Sequence, residues 1–515
     1  MTKTAYRGIS LAAVAVGFLF RFTQLPLRPM HHDEANQAVK FGALLEEGRY
    51  VYDKTDHHGP SLYYLTLAAA HARGQTTLAE LDETTLRLVP AVFGLGLVIL
   101  CLFLGTSLHP GAAALAALLA AFSPVMTYFS RFYIHESLFA FFALALLVAV
   151  WRYSERLTSR TIFAVGLSAG LLFATKETSV IVLAAVAAAI VLAHLLQKKT
   201  VWTPGVRLKT NWEHVALGLL TFAAVAVVLF SSLGKNLNGP ADAILAFKTY
   251  VAKGTSPAAH AHPWSYYFGL LFFSKSGGLV WTEGVVFLLA LVGIGTAVAR
   301  RSEWEARQRL SFYIFIYTAL TTLAFFILPY KTPWNALAFY TGWILLAAIG
   351  GAFLVRAPKR KGLKALSLAV LAAGLVQLGL QNYRANVRYP ADPRNPYVYA
   401  QTSPDFLKLA KRVDSLAAVH PAKKGLIIKV IAGPYDQWPL PWSLRGYKNV
   451  GYWATVADAG PVGDAALVIA SAENAARLQA SFGDRYQVEH FGLREGVLLT
   501  LFIPATLWNR FILSR

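Results

Sequence analysis

A single cysteine, Cys101, stands among 515 residues, and it lies inside an apolar run. That excludes an intrachain disulfide and any cysteine-ligated metal centre. Charge is scarce too: Asp, Glu, Lys and Arg make up 15% of the chain, against roughly 25% in a soluble globular domain. Acid is scarcer than base, 27 residues against 48, which leaves a formal net charge of +21. A nucleic-acid binder of that charge would carry a basic soluble module, and none is recognisable. No internal repeat or low-complexity stretch is present. No small-residue cleavage site follows the first apolar segment, where Arg21 and Phe22 lead into Pro26 and Pro29. That segment is expected to remain as a first transmembrane helix and not to be removed as a signal peptide.

What fills the chain is hydrophobic, at 56% of residues. Apolar runs of spanning length predict about eleven helices, near 8–26, 86–107, 111–129, 136–153, 161–175, 178–196, 214–233, 281–299, 310–329, 335–355 and 363–380. Five basic clusters fall on one side of this arrangement: Lys3 and Arg7; Arg152, Arg156 and Arg160; Lys198, Lys199, Arg207 and Lys209; Arg300, Arg301, Arg307 and Arg309; and Arg356, Lys359, Arg360, Lys361 and Lys364. The side richest in Lys and Arg is cytoplasmic. The expectation is a multi-pass protein of the cell membrane with a cytoplasmic N-terminus. Its architecture is an α-helical polytopic domain over 1–383, with a long first outer loop at 27–85, and an extracytoplasmic α/β domain over 384–505. In that second domain, short apolar runs at 425–432, 465–470 and 496–503 read as strands, and 406–417 and 472–480 as amphipathic helices. The tail, 506–515, is expected at the membrane surface.

Unusual polar chemistry gathers on the outer loops. His31-His32-Asp33-Glu34 follows the first apolar segment and precedes a helix expected over 36–47. An acid here fits a helix N-cap or first turn, but that leaves His31, His32, His57 and His58 of the same loop unexplained. Histidines so grouped suggest a metal or phosphate site. Further along stand Ser130-Arg131 with His135-Glu136, then Thr175-Lys176-Glu177, then His260-Ala261-His262-Pro263-Trp264, then Lys331-Thr332-Pro333-Trp334-Asn335. Bland readings exist for each: an interfacial ion pair for Arg131 and Glu136, and aromatic anchoring for Trp334. Together they ring one membrane face with acids, cations and aromatics.

The Asp33-Glu34 pair, the stretch His58-Gly59-Pro60-Ser61-Leu62-Tyr63-Tyr64, Ser130-Arg131 with Glu136, and Gly170 with Thr175-Lys176 resemble the GT-C membrane glycosyltransferases. That group includes the protein O-mannosyltransferases and aminoarabinose transferases. Related enzymes carry Lys-Pro-Pro-Leu where this chain has His58-Gly59, a departure. The resemblance covers about residues 8–200 and loosens through 380. With Tyr397-Val398-Tyr399, Gln401-Thr402-Ser403-Pro404-Asp405 and Trp438-Pro439-Leu440-Pro441-Trp442 included, the whole chain resembles a narrower prokaryotic family. That family is named for its association with lipid-linked-sugar flippase activity in archaeal N-glycosylation.

The resemblance implies a polyprenyl-phosphate sugar as donor, membrane lipid as surroundings, and inverting transfer of a hexosyl or mannosyl-type sugar to an acceptor hydroxyl on the outer face. Asp33 would be the general base, with Glu34 and Glu136 orienting the acceptor or a cation. Arg131, Lys176 and Lys331 would hold the leaving phosphate. Lys54, His57, His58, Tyr63, Trp264 and Trp334 are candidates to contact substrate, and Trp438 and Trp442 to stack on carbohydrate. A divalent metal is left open, with His31, His32, His260 and His262 as candidate ligands. The competing reading is a lipid-linked-sugar flippase or a non-catalytic factor associated with one. The sugar, the acceptor, the lipid length and the oligomeric state are not legible.

Overall fold

The computed structural model describes residues 2–56, 58–197, 211–255, 260–300 and 306–515. Two compact units emerge, one of Met1–Leu25, Arg49–Ala69 and Arg87–Tyr389, the other of Pro26–Gly48, Ala70–Leu86 and Pro390–Arg515. The boundary read from sequence at 383/384 therefore moves. Two pieces of the first outer loop, 26–48 and 70–86, belong with the C-terminal unit.

The first unit is helical. Among the described residues, seven helices are long and apolar enough to cross a membrane, and a bent pair, Pro110–Phe122 with Pro124–Ser130, makes an eighth. Three shorter apolar helices, Ser159–Phe173, Ser179–Ala193 and Gly284–Ala299, bring the total to the eleven expected segments. Two expectations need correcting. The segment near 111–129 is not one helix: it bends by 61° at Ser123-Pro124, because Pro124 has no N–H and its ring clashes with the preceding turn. Neighbouring side chains satisfy the groups the bend leaves unbonded. Arg21 Nη2 donates to Ala120 O at 2.9 Å and Asn382 Nδ2 to Phe122 O at 3.1 Å. The fully buried Glu283 accepts from Val125 N at 2.8 Å, Ser123 Oγ at 2.6 Å and Tyr340 OH at 2.8 Å. The second correction is that 281–283, the start of the segment expected over 281–299, is not helical. Strands β1 (Ser274–Ser276) and β2 (Leu279–Trp281) form a short antiparallel hairpin before the helix starts.

Helices Gly284–Ala299 and Leu337–Arg356 approach so closely that a Cβ on Gly293 would lie 2.0 Å from Leu346 O, and one on Gly350 2.1 Å from Leu289 O. Small residues at such crossings let dispersion and backbone packing replace the hydrophobic effect, which is weak between helices in lipid.

The second unit is a five-stranded sheet in the order β4-β3-β5-β7-β6, where β3 is Ile427–Ile431, β4 Asn449–Trp453, β5 Leu467–Ser471, β6 Tyr486–Arg494 and β7 Val497–Pro504. The pairs β3–β4 and β3–β5 are parallel, and β5–β7 and β6–β7 antiparallel. Side chains alternate across the sheet with period two. Ile428, Val430, Leu467 and Ile469 join Leu409 and Val413 of helix Phe406–Val419 in one core. Val468 and Ala470 join Leu478 and Phe482 of helix Ala472–Phe482 in the other. The tail is not free: helix Ala505–Leu513 sinks Leu507 and Phe511 into the first of these cores.

Candidate active site

In the second unit, His31 caps helix His32–Glu47, accepting from Asp33 N through Nδ1 at 3.0 Å. Glu34 closes a capping box by accepting from His31 N at 3.0 Å. It is fully buried and lies 3.9 Å from the Arg28 guanidinium. The two adjacent acids are therefore not equivalent. Glu34 holds the helix start, whereas the Asp33 side chain is 39% exposed and 3.9 Å from His31 Nδ1. The bland reading of an acid as the N-cap does not hold: the cap is His31, and Asp33 and Glu34 stand in the first turn. Nearby, the His32 ring lies 5.9 Å from Trp438 and 6.3 Å from Tyr435, ring centre to ring centre. Trp442 is buried and donates to Glu83 Oε1 at 2.9 Å, with Arg445 stacked 3.7 Å above its ring. It has no face for a sugar, so its reading as a carbohydrate platform is overturned.

In the first unit, two motifs far apart in sequence form one junction. Gly59 N donates to Thr175 O at 3.2 Å, Ser61 N to Ala174 O at 3.0 Å, and Ser61 Oγ to Thr175 Oγ1 at 2.8 Å. A Cβ on Gly59 would stand 2.3 Å from Ala174 O, so only glycine permits this approach. The junction carries two buried charge clusters. Lys176 Nζ donates to Glu136 Oε1 at 2.7 Å and to Asn335 Oδ1 at 2.9 Å. Glu136 Oε2 is buried without a hydrogen-bond partner among the described residues. Glu177 is bonded at 2.7 Å to His58 Nδ1 through one oxygen and at 2.7 Å to the Tyr52 hydroxyl, which donates, through the other. Burial pushes the Glu177 carboxyl up, but the His58 charge and the bonds from His58 and Tyr52 outweigh it and hold the group below the usual range. Burial, then the Glu177 charge, push the Tyr52 phenol far above its usual range, so it stays a donor.

The remaining candidates divide. Arg131 Nη1 donates to Phe20 O at 2.8 Å and Thr23 O at 2.7 Å, and Nη2 to Gln24 O at 2.8 Å. It closes the C-terminal end of helix Lys3–Phe22. Lys331 is buried and donates to the carbonyls of His262, at 3.2 Å, and Leu328. Both were expected at a donor phosphate. Their hydrogen bonds among the described residues go to backbone carbonyls, the kind of group left unpaired at a helix end in the case of Phe20 and Leu328. Arg131→Met is accordingly expected to cost about 1–3 kcal/mol of stability, the penalty for buried acceptors left unmade. Thermal unfolding measures that loss, and the KM for donor in the surviving folded fraction should not change.

Lys54 is exposed and pairs with Asp242 at 3.3 Å. Tyr63 is fully buried against Tyr50, 5.1 Å between ring centres, and His135, 5.6 Å. Trp334 packs on Phe132 at 6.1 Å, and Trp264 is 67% exposed. His57 lies outside the described residues. Sequence reasoning gave no role to Tyr52, His135, Asn335 or Glu177. His135 Nε2 bonds Gly59 O at 2.9 Å, and only the Lys-Glu sequence at 176–177 signalled two charges at one turn.

Of the four candidate metal ligands, His31 does not fit a metal. His31 Nε2 bonds Tyr399 O at 3.0 Å while Nδ1 accepts from Asp33 N, so neither ring nitrogen keeps a lone pair to donate. His32 meets aromatic rings, as above. His260 and His262 face Tyr330 at 5.1 Å and Tyr266 at 4.3 Å. No three His, Cys, Asp or Glu side chains converge among the described residues.

The comparisons with known proteins agree with this architecture. The family model described as dolichyl-phosphate-mannose-protein mannosyltransferase matches residues 15–235. No curated protein matches the chain in sequence. In structure it is similar to ArnT from Cupriavidus metallidurans bound to undecaprenyl phosphate: TM-score 0.64, 13% identity, covering 98% of this chain and 99% of that one. The chain has the GT-C fold. Its likeness extends to the archaeal oligosaccharyltransferase AglB from Archaeoglobus fulgidus in complex with an inhibitory peptide and a dolichol-phosphate, with TM-score 0.59, 13% identity, and 99% and 77% of the two chains covered. It extends also to the protein O-mannosyltransferase Pmt1–Pmt2 complex of S. cerevisiae bound to the sugar donor, with TM-score 0.59, 9% identity, and 80% and 92% covered. At these identities what is shared is the GT-C fold itself, and chemistry must be argued from the residues.

Proposed function

We propose that the chain is an integral membrane glycosyltransferase that moves a sugar from a polyprenyl-phosphate donor to an acceptor hydroxyl on the extracytoplasmic face, with inversion. The observation that carries the reading is the division of labour in the acidic pair. Glu34 is committed to the helix cap and Arg28, and Asp33, 39% exposed beside it, is left with a carboxylate that can take a proton. Asp33 removes the acceptor's proton as its oxygen attacks the anomeric carbon. The carbon–oxygen bond to phosphate breaks, and its electron pair leaves with polyprenyl phosphate. Phosphate leaves readily without a general acid. Lys176 and His58, each backed by a buried carboxylate, are better suited than Arg131 or Lys331 to stabilise it. Glu136 Oε2, without a hydrogen-bond partner among the described residues, is the acceptor left for a substrate hydroxyl. The N-terminus is cytoplasmic and the second unit extracytoplasmic in this proposal, because the five basic clusters share one side.

The test is stereochemical. The purified chain is given polyprenyl-phosphate sugars of defined anomeric configuration with a panel of peptide, lipid and glycan acceptors, and the product linkage is read by NMR. The opposite configuration is expected; retention would remove Asp33 from the role of base and require a covalent intermediate.

A further inference from the structure

A cavity of about 460 Å³ opens at the other end of the helices that lead to Lys331 and Trp334. Helix Ala306–Ile327 starts at this cavity with Arg307 and ends just before Lys331, and helix Leu337–Arg356 runs from beside Trp334 to Arg356 at the cavity wall. Helices of about 20 residues span roughly 30 Å, so the cavity and the Lys176–Glu136 cluster face opposite sides of the membrane.

Three arginines, Arg300, Arg307 and Arg356, line it, with His109, Gln308 and Ser311. No carboxylate is among its lining residues within the described part of the chain. His109 Nδ1 accepts from Gly111 N at 3.0 Å, which puts the ring proton on Nε2 as a further donor. Burial, then the charges of Arg356 and Arg307, hold the His109 imidazole below its usual range, which favours the neutral ring with its proton on Nε2.

Orientation of the chain in the membrane explains basic residues on this side but not their convergence on one concavity. The helix dipole explains Arg300 and Arg356, which follow or end their helices. It disfavours Arg307, which sits in the first turn of its helix. Planar guanidinium forks match the oxygen geometry of a phosphate.

We propose that this cavity is a binding site for a phosphate-bearing anion, either a phospholipid headgroup or a free phosphate compound, on the membrane face opposite the Lys176–Glu136 cluster. The experiment uses the full chain in zwitterionic detergent, with inorganic pyrophosphate and phosphatidic acid as probes and phosphatidylcholine as the neutral control. Binding is read by native mass spectrometry and by the shift in unfolding midpoint. Wild type is expected to bind at least one probe, with about tenfold weaker binding in Arg307→Gln, Arg356→Gln or both together. Arg160→Gln, on the same face but outside the cavity, should bind as wild type does. Pyrophosphate binding alone identifies a soluble ligand, and phosphatidic acid alone a headgroup. The proposal fails if neither probe binds wild type, if the cavity variants bind undiminished, or if Arg160→Gln weakens binding as much as they do. The single variants keep the test decisive where the double variant does not fold.

Discussion

Asp33→Asn is expected to yield a folded protein whose transfer rate is lower by about two orders of magnitude or more. The fold should survive because Asp33 does not hold helix His32–Glu47 in place. His31 provides the cap, and Glu34 returns the second bond of the capping box. Asparagine keeps the shape of the side chain at a position 39% exposed, so the stability change should stay within about 0.5 kcal/mol. It cannot accept the acceptor's proton. Turnover at the wild-type rate in the folded variant would show that Asp33 is a first-turn acid and nothing more. Glu34→Ala should behave in the opposite way, losing stability first, because the His31 N–H loses the acceptor that closes the capping box and the Arg28 guanidinium loses a nearby carboxylate.

The second large effect is expected at the buried pair. Lys176→Met leaves the Glu136 carboxylate, 5% exposed, without its cation, and removing one member of a buried ion pair costs about 3–5 kcal/mol. The double variant Lys176→Met/Glu136→Gln removes the stranded charge and should recover most of that stability. Transfer should be lost in the single and double variants alike, since both lack the cation near the leaving phosphate. Chemical unfolding and turnover, measured on the same preparations, separate the two effects. A double variant that regains both stability and turnover would make the pair a packing device.

Much of the fold was legible because it is written in long runs. An apolar stretch of spanning length has few alternatives in lipid, and all eleven expected positions hold helices. Edge strands were harder. β4 and β6 lie at the two ends of the sheet and are mostly half-exposed, so they lack the unbroken apolar run that revealed the central β5. The site was legible as a set of residue types but not as a set of partners. Asp33 and Glu34 look interchangeable in sequence, and only the backbone geometry at His31 tells them apart. Arg131 looked like an anion ligand because its true acceptors, Phe20, Thr23 and Gln24, lie more than a hundred positions away. The same distance hid the junction between Gly59-Pro60-Ser61 and Ala174-Thr175, although both stretches stood out by themselves.

The measurement that bears most directly on the central claim is release of polyprenyl phosphate by the purified wild-type chain from a mixed pool of polyprenyl-phosphate sugars. The account predicts release in step with the appearance of glycosylated acceptor. Absence of release, with labelled lipid-linked sugar moving between the leaflets of reconstituted vesicles, would contradict it and make the protein a transporter of that lipid.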